Sequence, residues 1–273
     1  MRVAVVGHVE WVTFMMVDHL PQEGEIIHAT DWWEEPGGGG AGAAVQLAKL
    51  AGEADFFTAL GDDKEALRTR DILEAQGVHV HAAVRADATR RAVTHVDATG
   101  ERTITVLGTR LEATGADPLP WELLEQADAV YFTAGDEGAL QRARAARSLT
   151  VTSRVLAFLK ETGVSLDALV GSAADPSELY VEGDLVPEPH LVVRTNGALG
   201  GTHVTKGRGP VPYEPVSPPG PVVDRYGAGD SFAAGLAYGL GKGWGPEEAV
   251  RFAARCGAHA VSGRGPYEGQ LRL

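Results

Sequence analysis

Asp224-Arg-Tyr-Gly-Ala-Gly-Asp230 sets two carboxylates either side of a small-residue triplet, Gly227, Ala228 and Gly229. A run of small and apolar residues, SFAAGLAYGL, follows at once and reads as a helix. A helix start exposes free N–H groups and partial positive charge, which suit a phosphate. Glycines there let the backbone come close to a ligand. A carboxylate beside an anion site is electrostatically awkward if the site only binds. It makes sense if Asp230 is a base that takes a proton from a hydroxyl while the amides of 227–229 stabilise a phosphoryl group in transfer. The simpler structural role for Asp230 is a helix N-cap.

Those residues need a scaffold, and the rest of the chain supplies one. MRVAVVG reads as a buried strand meeting a turn, and PGGGGAGAAVQLAKLAG as a glycine turn opening a helix. Strand and helix patterns then alternate: ADFFTALGDD, KEALRTRDILEAQG, ADAVYFTAG, DEGALQRARAARS, LTVTS, DALVGS and HLVVRTNGALGG. Two helices, broken near GKGWGP, close the chain. This rhythm predicts an α/β fold, a Rossmann-like mostly parallel central sheet with helices on both faces. Two segments break it. EIIHATDWW reads as short strands and turns, and RAVTHVDA with ERTITVLG as a hairpin turning at Thr99-Gly100. Together, segments at about 9–36 and 85–110 predict a small β-sheet lid inserted in one domain spanning 1–273. The Pro- and Gly-rich stretch before Asp224 reads as a constrained loop with a short edge strand.

With 44% hydrophobic and 22% charged residues, the chain of 273 residues can bury a sizeable core. Its net charge of −13 disfavours nucleic acid and anionic membranes as partners. A single cysteine, Cys256, rules out an intrachain disulfide and reads as buried and inert. The absence of a signal-peptide core or spanning segment predicts a cytoplasmic protein.

DRYGAGDSFAAG resembles the C-terminal signature D-T-x-G-A-G-D-x-F of ribokinase-like (phosphofructokinase-B type) carbohydrate kinases, with Arg225 in place of the usual Thr or Ser. GGGGAGAAVQLAKLAGEADFFTALGDD resembles the family's N-terminal signature through Gly37, Gly38, Gly40, Ala41, Gly61 and Asp62. Order and separation fit over essentially the whole chain, as does the T-x-G-x-x-G turn at Thr195, Gly197 and Gly200. The resemblance implies that Asp230 is the catalytic base, that Gly227, Ala228 and Gly229 form the anion hole, and that Thr195, Gly197, Gly200 and Gly229 meet ATP. It implies that Mg2+ arrives with ATP, and that Asp224 and the chain at Tyr226 belong to a loop that holds K+ in relatives. Glu10, Gly38, Gly42 and Asp230 fall on the acceptor side, where the acceptor is a sugar-like hydroxyl compound, a nucleoside or a sugar phosphate. Lids in this family build dimers, so the Trp-bearing lid points to a homodimer.

Departures gather on the acceptor side. Val12 stands where relatives carry an Asp that grips hydroxyls, and Gly42 where they carry Asn. The N-x-x-E stretch that organises magnesium has no clean copy; GSAADPSE offers Ser172 with Asp175, or Asp175 with Glu178. These losses predict an acceptor less like free ribose, and they motivate a second reading, a non-catalytic ligand-binding protein on the kinase fold. A nicotinamide oxidoreductase ranks lowest, because GHVEWV lacks G-x-G-x-x-G. Arg90, Arg91 and Arg102 read as a solvated strand face, with Arg102 the candidate anion clamp; Trp11 divides between stacking on a ligand and packing, and Asp136 points to the cleft.

Overall fold

The computed structural model describes all 273 residues. β1 (Val3–Val6) leads directly into β2 (Glu10–Met16), which pairs with β3 (Asp31–Gly37). Helix α1 (Gly39–Ala51), β4 (Ala54–Gly61), α2 (Lys64–Ala75) and β5 (Val78–Arg85) follow. The chain then leaves for β6 (Arg91–Val96) and β7 (Arg102–Leu107) and returns through α3 (Glu122–Glu125), β8 (Ala129–Phe132), α4 (Glu137–Arg144) and β9 (Leu149–Thr152). α5 (Leu156–Leu159), β10 (Ala168–Ser172), β11 (Leu191–Thr195), β12 (Gly201–Thr205) and β13 (Val211–Tyr213) lead to α6 (Ala228–Gly241) and α7 (Pro246–Ala260).

The nine-stranded sheet has the order β13-β12-β11-β10-β9-β8-β1-β4-β5, parallel except at the β12–β13 edge. Alternation along β1 sends Val3 and Val5 into one core, with residues of α1, α2, α6 and α7. Ala4 and Val6 go to the other, with residues of α3, α4 and α5. Helices therefore cover both faces, as strand–helix alternation predicts. Gly235 of α6 allows α7 to approach: a Cβ there would lie 2.7 Å from the sulfur of Cys256. Cys256 is buried, and burial pushes its thiol up to about 12.

The second sheet, β3-β2-β6-β7, is the lid. Its strands come from the two segments that broke the rhythm, joined by the parallel pairing of β2 with β6. Val12, Phe14, Ala92 and Tyr226 form its own small core. Three details differ from the sequence expectation. The chain between β2 and β3 is exposed and irregular up to Asp31, because Pro21 and Gly24 interrupt pairing there. β5 carries on to Arg85 within the main sheet, so the second lid segment starts after it. GTHVT, which reads as the tail of a glycine turn, is a strand that folds back on β11. No helix is long and apolar enough to cross a membrane.

Candidate active site

In an open parallel sheet the crevice lies at the carboxyl ends of the strands. Here β1 delivers His8 to that edge, β9 delivers Arg154, β10 delivers Ser172 and the loop to Glu178, and β11 delivers Thr195. The N-termini of α1 and α6 meet there, and neither has a side-chain cap.

At α6 the N-cap is Gly227, in the left-handed region at φ 73, so Asp230 lies within the first turn and is not the cap. Any other residue type at 227 would be strained. Asp230 is only 13% exposed, and its Oδ1 sits 3.4 Å from Arg154 Nη1. Outside the helix's own backbone, no atom lies within 4 Å of the point where a Cβ would stand at Gly229, so the chain there borders open space.

α1 meets this carboxylate from the other side. Gly38 takes φ 86 and donates its N–H to the Tyr226 hydroxyl at 2.9 Å. A Cβ at Gly39 would stand 2.9 Å from Asp230 Oδ1, and one at Gly42 would stand 3.7 Å from Asp230 Cβ. Glycines at 39 and 42 thus leave room around the carboxylate. Gln270 locks the two helices together, donating to the Gly42 carbonyl at 2.7 Å and the Ser231 hydroxyl at 3.3 Å.

Asp224 is wholly buried and accepts from the backbone N–H groups of Tyr226 and Gly265. Burial raises its pKa against those bonds. Glu35 of β3 lies nearby and is pushed up to about 7, chiefly by burial, while the Trp33 indole bonded to it acts in the opposite sense. Tyr226 therefore ties the loop of Asp224 to the start of α1, and its ring meets Phe14 edge-on in the lid.

On the lid, residues alternate between the cleft face and the outer face. Glu10, Val12 and Phe14 share the inner face with Arg90, Ala92 and Thr94. Glu10 is 6% exposed and its Oε2 lies 3.3 Å from Arg90 Nε. Burial raises the Glu10 pKa, opposed by Arg90. The expectation of a solvated face holds for Arg91, which is exposed near Glu34, and fails for Arg90, which points inward. Trp11 is on the outer face, buried beneath the Arg68 guanidinium at 4.3 Å, so it packs instead of lining the cleft. Trp33 stacks on Phe14 at 4.8 Å, and Trp32 is exposed. Arg102 lies near Asp224 and Glu101. Asp136 accepts from the N–H groups of Ala139 and Gly115, which makes it the cap of α4.

On the opposite wall, Asp175 caps a short 3₁₀ turn at 176–178 and is held low by its bonds to Ser177. Glu178 is the buried carboxylate of this stretch: it accepts from the Ser172 N–H at 2.8 Å and from Arg154 Nε at 3.1 Å. Thr195 bonds the Gly171 carbonyl, and Gly197 and Gly200, both at positive φ, turn the chain back along β12. Arg154 and Arg110 escaped the sequence reading, whereas Glu178 entered it as the partner of Asp175 in GSAADPSE. The two arginines each stand just beyond a strand, in a stretch without a motif.

A family model described as pfkB family carbohydrate kinase matches residues 1–178 and 166–271. An ATP-dependent ribose-1-phosphate kinase from Halopiger xanaduensis is 30% identical over 276 residues, covering 94% of this chain and 90% of the relative. A microbiome-derived acarbose kinase superposes with a TM-score of 0.81 at 25% identity, over 99% of this chain and 95% of that one. Arabidopsis thaliana ribokinase, solved with ribose and ATP, has the same fold, with a TM-score of 0.77 at 23% identity over 99% of this chain and 96% of that one. With both helix starts at one cleft and the lid above it, the chain belongs to the pfkB family of carbohydrate kinases.

Proposed function

We propose that the chain transfers the γ-phosphate of ATP to a hydroxyl of a small sugar-like acceptor, with Asp230 as the base. One observation carries this reading: a nearly buried carboxylate in the first turn of α6, on a helix start that has no side-chain cap and borders open space at Gly229. The acceptor hydroxyl gives its proton to Asp230 as its oxygen bonds the γ-phosphorus, and the bond from that phosphorus to the bridging oxygen breaks, releasing ADP. The amides of Gly227, Ala228 and Gly229 receive the charge on the moving phosphoryl group. Thr195, Gly197 and Gly200 border the nucleotide, at the end of β11 and in the turn after it, and β11 pairs with β10, whose following loop holds Glu178. Glu10, Gly38 and Gly42 border the acceptor.

Magnesium, bound to the nucleotide phosphates, supplies charge neutralisation. Glu178 and Asp175 stand in the loop that would face it; Glu178 is already engaged by Arg154, which leaves Asp175 and bridging waters for a metal bound through ATP. The surroundings of Asp224 suit a monovalent cation. A buried carboxylate bonded only to backbone N–H groups, with the acid Glu35 close by, is a site where positive charge is favoured. The lid offers a surface for a homodimer: Trp32, Ile104, Val106 and Leu107 are exposed on it.

Asp230→Asn tests the base. Turnover should fall about 10²–10⁴-fold, the span of general-base catalysis, while ATP binding measured by calorimetry stays close to that of the parent. Near-normal turnover in that variant would remove Asp230 from the role.

A further inference from the structure

β1 ends by placing an imidazole beneath the start of α1. The His8 carbonyl accepts from the Gly40 N–H at 3.1 Å, which fixes the backbone there. A Cβ at Gly38 would stand 3.1 Å from His8 Cδ2 and 3.2 Å from its Nε2, so glycine at 38 leaves this edge of the ring uncovered. The next residue, Gly39, is the one whose Cβ would meet Asp230 Oδ1. Imidazole and carboxylate therefore lie against consecutive residues of one helix start.

The two ring nitrogens differ. Nδ1 is enclosed and has no partner in the protein. His8 as a whole is only partly buried, and Nε2 is neither enclosed in that way nor bonded within the protein, so this end of the ring opens to the cleft. Burial lowers the His8 pKa to about 3, and arginine charge acts in the same sense, which keeps the ring neutral. A neutral imidazole carries one N–H and one lone pair. Enclosing an N–H without an acceptor costs more than enclosing a lone pair without a donor. The proton therefore belongs on Nε2, and the open nitrogen is a donor.

The neighbours offer no comparable group to a hydroxyl. Val12 is packed with Phe14, Ala92 and Tyr226. Gly39 and Gly42 have no side chain, Glu10 is paired with Arg90, and the Tyr226 hydroxyl is engaged by the Gly38 N–H. An uncharged donor suits an uncharged oxygen. The reacting hydroxyl is not that oxygen, because its lone pair must stay free to attack phosphorus. We propose that His8 determines acceptor specificity, its Nε2–H donating to a hydroxyl oxygen of the acceptor other than the one that is phosphorylated. This rests on the reading of Asp230 as the base of a kinase.

Acceptor analogues and histidine variants test the proposal together. Ribose, fructose and adenosine are assayed with ATP, and the best of them is compared with analogues deoxygenated singly at each hydroxyl except the reacting one. In the wild-type chain at least one analogue should fall about 10-fold or more in kcat/KM, the size of one lost hydrogen bond. His8→Leu should lower kcat/KM for the parent compound about 10-fold and leave that analogue nearly unchanged, so the discrimination disappears. His8→Gln, whose amide nitrogen reaches the place of Nε2, should keep the discrimination, and His8→Asn, whose shorter amide reaches only the place of Nδ1, should not. A His8→Leu chain that loses equally on the parent and every analogue, or that discriminates as wild type does, overturns the proposal. Where none of the three acceptors turns over, nitrogen NMR of the imidazole in the wild-type chain decides. A neutral ring protonated on Nε2 from pH 5 to pH 8 supports the proposal; a ring protonated on Nδ1, or one that gains charge in that range, overturns it. Near-normal turnover in Asp230→Asn would instead strike the assignment of the base and leave these comparisons of His8 standing.

Discussion

Gly39 and Gly42 sit three residues apart in α1 and should respond oppositely to one added methyl group. A Cβ at Gly39 would lie 2.9 Å from Asp230 Oδ1, where ordinary contact begins at 3.4 Å, so the carboxylate must give by about 0.5 Å. It can do so by rotating, which costs little stability. Catalysis is less tolerant. A misplacement of about 1 Å can cost about 10²-fold, so half that distance should lower kcat about 10-fold, or about 1.4 kcal/mol of barrier. At Gly42 the added Cβ meets Asp230 Cβ at 3.7 Å, an ordinary contact. Nothing moves there, and replacing a glycine inside a helix with alanine adds about 0.5–1 kcal/mol of stability.

Coupled-enzyme detection of ADP and thermal melts read both effects. Gly39→Ala should lose about 10-fold in kcat with the KM for ATP unchanged, because the nucleotide turn at 195–200 is on another strand. Gly42→Ala should keep its kcat within about twofold and melt about 1–3 °C higher. A Gly39→Ala enzyme at full speed, or a Gly42→Ala enzyme as slow as Gly39→Ala, would refute the placing of Asp230 against α1.

Two further substitutions examine the frame around the site. Burial pushes the Glu35 carboxyl up to about 7 in the fold from its ordinary 4.5, so the native state holds a proton that the unfolded chain has lost between those pH values. Stability from the protonated form is complete below pH 4.5 and is lost as pH rises through 7, by up to about 3 kcal/mol. Glu35→Gln removes that loss, so urea melts should show the variant gaining on wild type from pH 5 to pH 8; a gap equal at both pH values contradicts the assignment. Tyr226→Phe deprives the Gly38 N–H of its acceptor. It should cost about 1–3 kcal/mol in urea denaturation, and an unchanged midpoint would show that water replaces the hydroxyl.

The parts of the site that could be read from sequence are those encoded by contiguous residues. Gly227 to Asp230 form a helix start whatever lies around them, since positive φ at 227 and free amides follow from local chain geometry. Arg154 and Glu178 meet only because β9 and β10 are neighbours in the sheet, a pairing that no local pattern announces. Arg90 is an intermediate case. Its alternation with Ala92 and Thr94, both buried, marks the inner face, and Arg91 falls on the outer one. The period-2 signal was present, yet charge alone suggested a solvated strand. Asp136 shows the converse error: a carboxylate at a strand end looked functional and is a helix cap.

Transfer and recognition are separable in this fold because they are built from different materials. On the proposed reading the transfer end is backbone amides and one acid on helices that Gln270 pins together, and those positions change little without breaking the packing of α1 on α6. The acceptor end uses side chains on lid strands, which can be exchanged one by one without disturbing the sheet. Val12 in place of an acid gives up a charge-assisted bond to a hydroxyl, worth about 1.5–3 kcal/mol. The pairing of Glu10 with Arg90 keeps this end of the cleft near neutrality, so what replaces the lost bond must come from shape and from neutral donors and acceptors.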